Sequence, residues 1–240
     1  MNRGLVYVAD KNKPASRKKK PFSEEMIENC LQVIESGDYE ELFEIIPRIG
    51  VLRDARFHKP LLKLIESKDI KRREFAAYSM GAMTDRTFLD PLKKAFVEAQ
   101  KIRGFGANEL QIAIIEAIGA IGDDDAVEFF LPILKSCCAT KAKGSRKAAG
   151  KKAARMGKWI IESLGTIAQQ GGEQSLNALL ELTTHPDPDI KAYAISEISV
   201  AYWHRPNEVD KSILETFYEL TTHPEAIVAE SAVSALQNLA

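Results

Sequence analysis

Glu181-Leu182-Thr183-Thr184-His185-Pro186 recurs unchanged as Glu219-Leu220-Thr221-Thr222-His223-Pro224, 38 residues downstream. A hexapeptide returning at such a period marks a chain built from stacked copies of one supersecondary unit. Outward from it a shorter mark repeats, an apolar residue followed by a small one. It occurs at Ile49-Gly50, Met80-Gly81, Ile118-Gly119 and Leu164-Gly165, and Ile198-Ser199 and Leu236-Gln237 continue the register. With 50, 81, 119, 165, 199 and 237 as a common reference, the positions one, four and five before it and two after it are apolar in all six copies. Four before, for example, stand Ile46, Ala77, Ile115, Ile161, Ile195 and Val233. On an α-helix these positions fall on one stripe, so each copy carries an amphipathic helix ending near its reference residue.

Each of these helices is preceded by another amphipathic segment, near 23–36, 57–67, 87–99, 125–138, 174–184 and 208–222. Three of them share an aligned motif, Pro60-Leu61-Leu62-Lys63, Pro91-Leu92-Lys93-Lys94 and Pro132-Ile133-Leu134-Lys135. Proline there predicts a first helical turn or a kink, because it lacks an N–H and fixes φ. The fold class is therefore all-α, an α-solenoid of about six helix pairs over 23–240, with 1–22 a basic tail expected to be disordered. Leu5–Val8 is the one strand-like stretch. Such pairs bury their apolar faces only by stacking, and terminal units need polar outer faces. Glu24, Glu25, Glu28 and Glu35 suit an N-terminal cap, whereas Leu239-Ala240 leaves the last unit little covering, to be met by another subunit or left as a small exposed patch. Pro47 predicts a distorted first unit.

The pattern resembles the HEAT-repeat family. The resemblance rests on Pro60–Ile65 leading through Asp69-Ile70 to Arg73, Ala76-Ala77 and Met80-Gly81, and on the same inter-helix turn at Asp187-Pro188-Asp189-Ile190-Lys191. The short alanine- and glycine-rich second helices look like the HEAT-like subclass that includes phycobilin lyase subunits. The resemblance covers 23–240 and implies that the second helices line a concave side. The arginine the family often carries in its second helix stands only at Arg73; its counterparts are Gln111, Gly157, Lys191 and Ala229.

Charge is unevenly spread. The chain's net charge is -1, yet residues 1–20 carry +6 and residues 135–158 carry +9 without a single acid, which leaves -16 for the rest. An acidic body with two basic segments predicts partners on both kinds of surface. The second segment coincides with excess length: the reference spacing in the fourth copy is 46, against 31 to 38 elsewhere. The surplus, 139–153, reads as a flexible basic insertion in which Lys141, Lys143, Arg146, Lys147, Lys151 and Lys152 would meet a polyanion or an acidic partner. It has no interleaved aromatics for base stacking.

A second candidate surface lies six and three residues before the reference, off the apolar stripe. Phe75, Tyr78, Glu116, Trp159, Glu162 and Tyr193 stand there, aromatics mixed with acids, which suits a groove for a protein segment bearing basic residues. Packing between adjacent copies is the alternative role for these rings.

Little points to catalysis. The sequence holds no His-Glu-x-x-His, Cys-x-x-Cys or His-Glu dipeptide, so neither a metal nor another cofactor is expected. His185 and His223 precede prolines at helix ends, where an imidazole can bond the last carbonyls. Cys137-Cys138 stands among lysines without a histidine partner, and Gly104 and Gly106 form a loop that no strand precedes. Three cysteines, no ~20-residue apolar run and no secretory leader predict a cytoplasmic protein off the membrane. The reading is a non-catalytic scaffold for a protein partner, with bilin handling and nucleic-acid or polyanion binding as alternatives and the oligomeric state left open.

Overall fold

The computed structural model describes residues 22–104, 106–122, 124–142 and 148–239. Among them are twelve α-helices and no strand. They pair in chain order: α1 (Phe22–Ser36) with α2 (Tyr39–Leu52), α3 (His58–Ile65) with α4 (Ile70–Met83), and α5 (Leu89–Ala99) with α6 (Ala107–Ile121). Then follow α7 (Asp124–Ala142) with α8 (Ala148–Gln169), α9 (Glu173–Leu182) with α10 (Pro188–Tyr202), and α11 (Lys211–Leu220) with α12 (Ala226–Leu239). The chain is an all-α repeat solenoid. The basic tail 1–22, apart from the first residue of α1, and the Leu5–Val8 stretch lie outside the described residues.

Aspartates set many of the boundaries. Asp38 accepts from the Glu41 amide while Glu41 accepts from the Asp38 amide, a reciprocal capping box that starts α2. Asp69, Asp187 and Asp210 cap α4, α10 and α11 in the simpler way. The repeated hexapeptide is a turn device. Thr183 and Thr184 donate to the carbonyls of Leu180 and Glu181 at 2.7 and 2.8 Å, as Thr221 and Thr222 do to Tyr218 and Glu219 at 2.7 and 3.1 Å. The threonines, not the histidines, thus satisfy the last carbonyls. His185 Nδ1 instead accepts the Asp187 amide, and His223 Nδ1 the Glu225 amide, each at 3.1 Å.

The second helices α2, α4, α6, α8, α10 and α12 pack side by side in one closely spaced row, whereas successive first helices barely touch. An array packed more tightly in one layer curves toward that layer. The reference glycines make the tight row. A Cβ on Gly50 would lie 3.0 Å from Ala82 Cβ, on Gly81 2.8 Å from Ala117 Cα, on Gly119 2.7 Å from Ser163 Cβ, and on Gly165 2.9 Å from Glu197 Cβ. Each glycine is the point where one second helix meets the next. The apolar stripe beside them forms one continuous core through all twelve helices. Val233 departs from it, exposed at 42%, because no further helix covers that side of α12 among the described residues.

Two local expectations change. Pro47 does not distort α2, which runs on to Leu52 with the proline on its exposed side. The insertion 139–153 is helical at both ends, where α7 continues to Ala142 and α8 already begins at Ala148, while 143–147 lie outside the described residues. Alanine, lysine and arginine are strong helix formers, so a segment too polar for a core still extends two helices that are already nucleated. The start of α8 lies five or six residues further ahead of its reference than in α4, α6, α10 and α12, an overhang of about 8 Å at ~1.5 Å per residue.

Candidate functional site on the second-helix row

Off the apolar stripe, the face of the second-helix row carries a run of interacting polar and aromatic side chains. It begins on α2, where Tyr39 and Phe43 pack with ring centroids 4.5 Å apart. Phe43 meets the edge of Tyr78 on α4 at 6.0 Å. Lys71 lies over the Tyr39 ring, 4.8 Å from its centre, and pairs with Glu74 at 2.9 Å. The Tyr78 hydroxyl donates to Glu116 on α6, and burial together with the neighbouring carboxylates holds its pKa above the usual phenol range.

From Glu116 the row turns acidic. Burial raises the Glu116 pKa and the Glu162 charge adds to that, while the Tyr78 hydroxyl opposes it. Glu162 on α8 pairs with Lys158 at 3.4 Å. Glu197 on α10 is pushed up to about 7, first by burial and then by Glu162, with Lys158 the only opposing charge. Lys158 also lies over the Tyr193 ring at 5.4 Å. Three successive helices therefore bring three glutamates into one row with Lys158 beside it, and burial first, then the Glu162 charge, raises the carboxyls of Glu116 and Glu197.

The six residues read from sequence for this face divide. Glu116, Glu162 and Tyr78 are half-buried members of the row, and Tyr193 is exposed. Trp159 is half-buried and packs against the core. Phe75 does not belong: it is fully buried under Phe43, ring centroids 6.3 Å apart, because stacked helices seal the flank on which it sits. Tyr39, Phe43, Lys71, Glu74, Lys158 and Glu197 are members the sequence reading missed. Lys158 was legible as the i,i+4 partner of Glu162. Glu197 was one residue off the periodic position, and its neighbourhood emerges only when α10 is laid on Gly165.

The basic segment forms a second surface. Lys151 and Lys152 lie exposed on the first turns of α8, and Arg155 stands one turn on, 4.0 Å from Glu109. Lys141 falls in the last turn of α7, and its side chain, like Lys143, Arg146 and Lys147, lies outside the described residues.

The slot eight residues before the reference has its own pattern. Arg73 donates to the Ala95 carbonyl at 3.3 Å and Gln111 to the Ala99 carbonyl at 2.8 Å, while Lys191 lies 3.0 Å from His223 Nε2. Each bridges to a first helix or to the turn after one. Gly157 has no side chain to do so, and a cavity of about 260 Å³ opens beside it, between α7, α8 and the start of α10. Cys137 on its wall has its pKa raised to about 11 by burial, so the thiol is protonated and a poor nucleophile at neutral pH.

Among the described residues, no cluster of three or more His, Cys, Asp or Glu side chains could hold a metal, and no helix is long and apolar enough to cross a membrane. No protein-family model matches the chain, and no curated protein matches it. Among solved structures it is similar to a crystal structure described as that of an engineered protein, at 19% identity and a TM-score of 0.44. That match covers 89% of this chain and 96% of the other.

Proposed function

We propose that the chain is a non-catalytic interaction scaffold, HEAT-like in its repeat, that holds a protein partner by a cationic segment laid along the second-helix face. The observation that carries this reading is the placement of Glu116, Glu162 and Glu197 on three successive second helices, with Lys158 paired to Glu162 and acting on Glu197. Lysine or arginine arriving from a partner would pair with these carboxylates. The rings of Tyr78 and Tyr193 would add flat apolar contact and cation–π attraction.

Spacing narrows the partner. Packed helices stand about 8–10 Å apart, so one glutamate is offered roughly every 10 Å. An extended segment rises about 3.3 Å per residue, and a cation at every third residue matches that interval. A labelled twelve-residue peptide with lysine at every third position should bind the chain, and a variant with its lysines clustered at one end should bind more weakly. Joint replacement of Glu116, Glu162 and Glu197 by glutamine should weaken the spaced peptide by about tenfold or more at low salt, with helicity unchanged. Equal binding to the triple variant would overturn the reading.

The exposed lysines on the α8 overhang favour a second reading, attachment of a polyanion to the extended α7–α8 hairpin. That reading requires affinity that falls steeply with salt and is lost when 139–153 is deleted. The bilin-handling role implied by resemblance to phycobilin lyase subunits finds less support. No feature of the described surfaces points to a tetrapyrrole in particular.

A further inference from the structure

The cavity at Gly157 has a floor and a rim of different chemistry. We infer that it is a binding site for a small amphipathic carboxylate, a single aromatic ring on a short chain ending in an acid group. Size comes first. A buried apolar cavity of about 150 Å³ accommodates benzene, and this one, about 260 Å³, leaves room for a ring and two or three further atoms. The walls are apolar where a ring would lie, with Ile161 from α8 and Ile190 from α10 facing the Cys137 side of α7.

The rim supplies the charge preference. Arg155 and Lys158 border the cavity against a single carboxylate among the described lining residues, Asp189. Both cations are held loosely, Arg155 at 4.0 Å from Glu109 and Lys158 at 3.4 Å from Glu162, and both side chains are more than 40% exposed. Either can turn to an incoming carboxylate without abandoning a tight ion pair. This site adjoins the acidic row, with which it shares Lys158 and Tyr193, but its preferred charge is the opposite one.

Gly157 forms part of the wall. Arg73 and Gln111, in the same slot, donate to first-helix carbonyls and border clefts of about 620 and 550 Å³, whereas at Gly157 no side chain enters the smaller cavity. The glycine is not needed for packing. A Cβ built on it meets Cys137 Cβ at 3.6 Å and Leu134 Cδ1 at 3.7 Å, ordinary contacts that alanine tolerates. Alanine there can therefore narrow the site without breaking the helix.

The test uses 3-phenylpropionate with the full chain, followed by amide-resolved NMR, with the neutral 3-phenylpropionamide and the cationic 3-phenylpropylamine as comparisons. The acid should give saturable shifts centred on Gly157, Ile161, Ile190 and Tyr193. The dissociation constant should be about a millimolar, the affinity that roughly eleven non-hydrogen atoms give at ordinary ligand efficiency. Gly157→Gln should cost about tenfold, the scale of a misfit in an apolar pocket. Gly157→Ala, which keeps the fold by the contacts above, should cost a smaller factor in the same direction. Arg155→Gln with Lys158→Gln should bring the acid down to the affinity of the amide. The inference is overturned by an absence of saturable shifts at those four residues up to ~10 mM, several times the dissociation constant expected from ligand efficiency. Unchanged binding by the Gly157 variants, or the amine binding as tightly as the acid, overturns it equally.

Discussion

Glu197→Gln should make the protein more stable above neutral pH and change it little in acid. The glutamate sits on α10 against Gly165 of α8, with Glu162 and Lys158 the charged groups of α8 that act on it. Its carboxyl is raised from 4.5 to about 7, so between these values the folded chain binds a proton that the unfolded chain has released. Stability from this group is therefore full below about pH 4.5 and is lost as pH rises through 7. Raising a carboxyl that far corresponds to at most about 3 kcal/mol. The group is still partly wetted, which reduces this to about 1–2 kcal/mol in practice. Glutamine keeps the shape over Gly165 and cannot ionise. Urea unfolding at pH 5, 7 and 8.5 should show wild type and variant close at pH 5 and separated by about 1–2 kcal/mol at pH 8.5, with the variant's profile the flatter. Coincident curves at pH 8.5, or a gap that widens toward acid, would refute the claim that burial and Glu162 work against this charge.

Gly81→Ala should destabilise by about 2–3 kcal/mol, because its Cβ would lie 2.8 Å from the Ala117 backbone. Gly157→Ala should stabilise by about 0.5–1 kcal/mol, the helix-propensity gain alone; thermal unfolding of the pair measures both. Tyr193→Ala should leave unfolding within about 0.5 kcal/mol of wild type while weakening the spaced-lysine peptide. Trp159→Ala should cost about 2–3 kcal/mol because that ring packs against the core. Iodoacetamide should alkylate Cys137 at pH 8 about a hundredfold more slowly than free cysteine, since a thiol raised to about 11 is almost wholly protonated there. Modification at the free-thiol rate would show the α7–α8 wall to be open.

The array was legible because its signal is local and repeated. An apolar residue at each of four positions around six references leaves one helix face to bury, and stacking is the way such faces are covered. The hexapeptide was legible as a repeat but not as a device. That its threonines close one helix while its histidine receives the first amides of the next depends on rotamers that sequence spacing does not contain. The two ends of the insertion were misread for a physical reason. Low apolar content excludes a core position, but it does not exclude a helix whose backbone is already hydrogen-bonded at its inner end. Phe75 was misplaced because a flank position is outward on an isolated helix and inward in a stack; the six-residue offset cannot tell which. Tyr78, Glu116 and Glu162 share that periodicity, and only the neighbouring helix decides that they remain half-open.

Glycines in α8 carry the same lesson further. Gly165 and Gly157 lie eight residues apart on one helix. At Gly165 a Cβ would drive into Glu197, 2.9 Å from its Cβ, so the missing side chain is what lets α10 approach and forces the glutamate into partial burial. At Gly157 a Cβ would meet Cys137 Cβ at 3.6 Å, an ordinary contact, so no close approach demands the glycine, and the cavity opens beside it. One absence creates a strained charge and the other borders a hole, and the two bracket the helix that bears Lys158 between acidic row and cavity. Lys158 is thus shared. Its pull on Glu162 and Glu197 weakens if it turns to a carboxylate in the cavity. Occupation of the cavity should then raise the Glu197 pKa further and, near neutrality, leave that glutamate more often protonated. An NMR titration of Glu197 with and without 3-phenylpropionate measures the link, and an unmoved midpoint would mean that Lys158 serves the row alone.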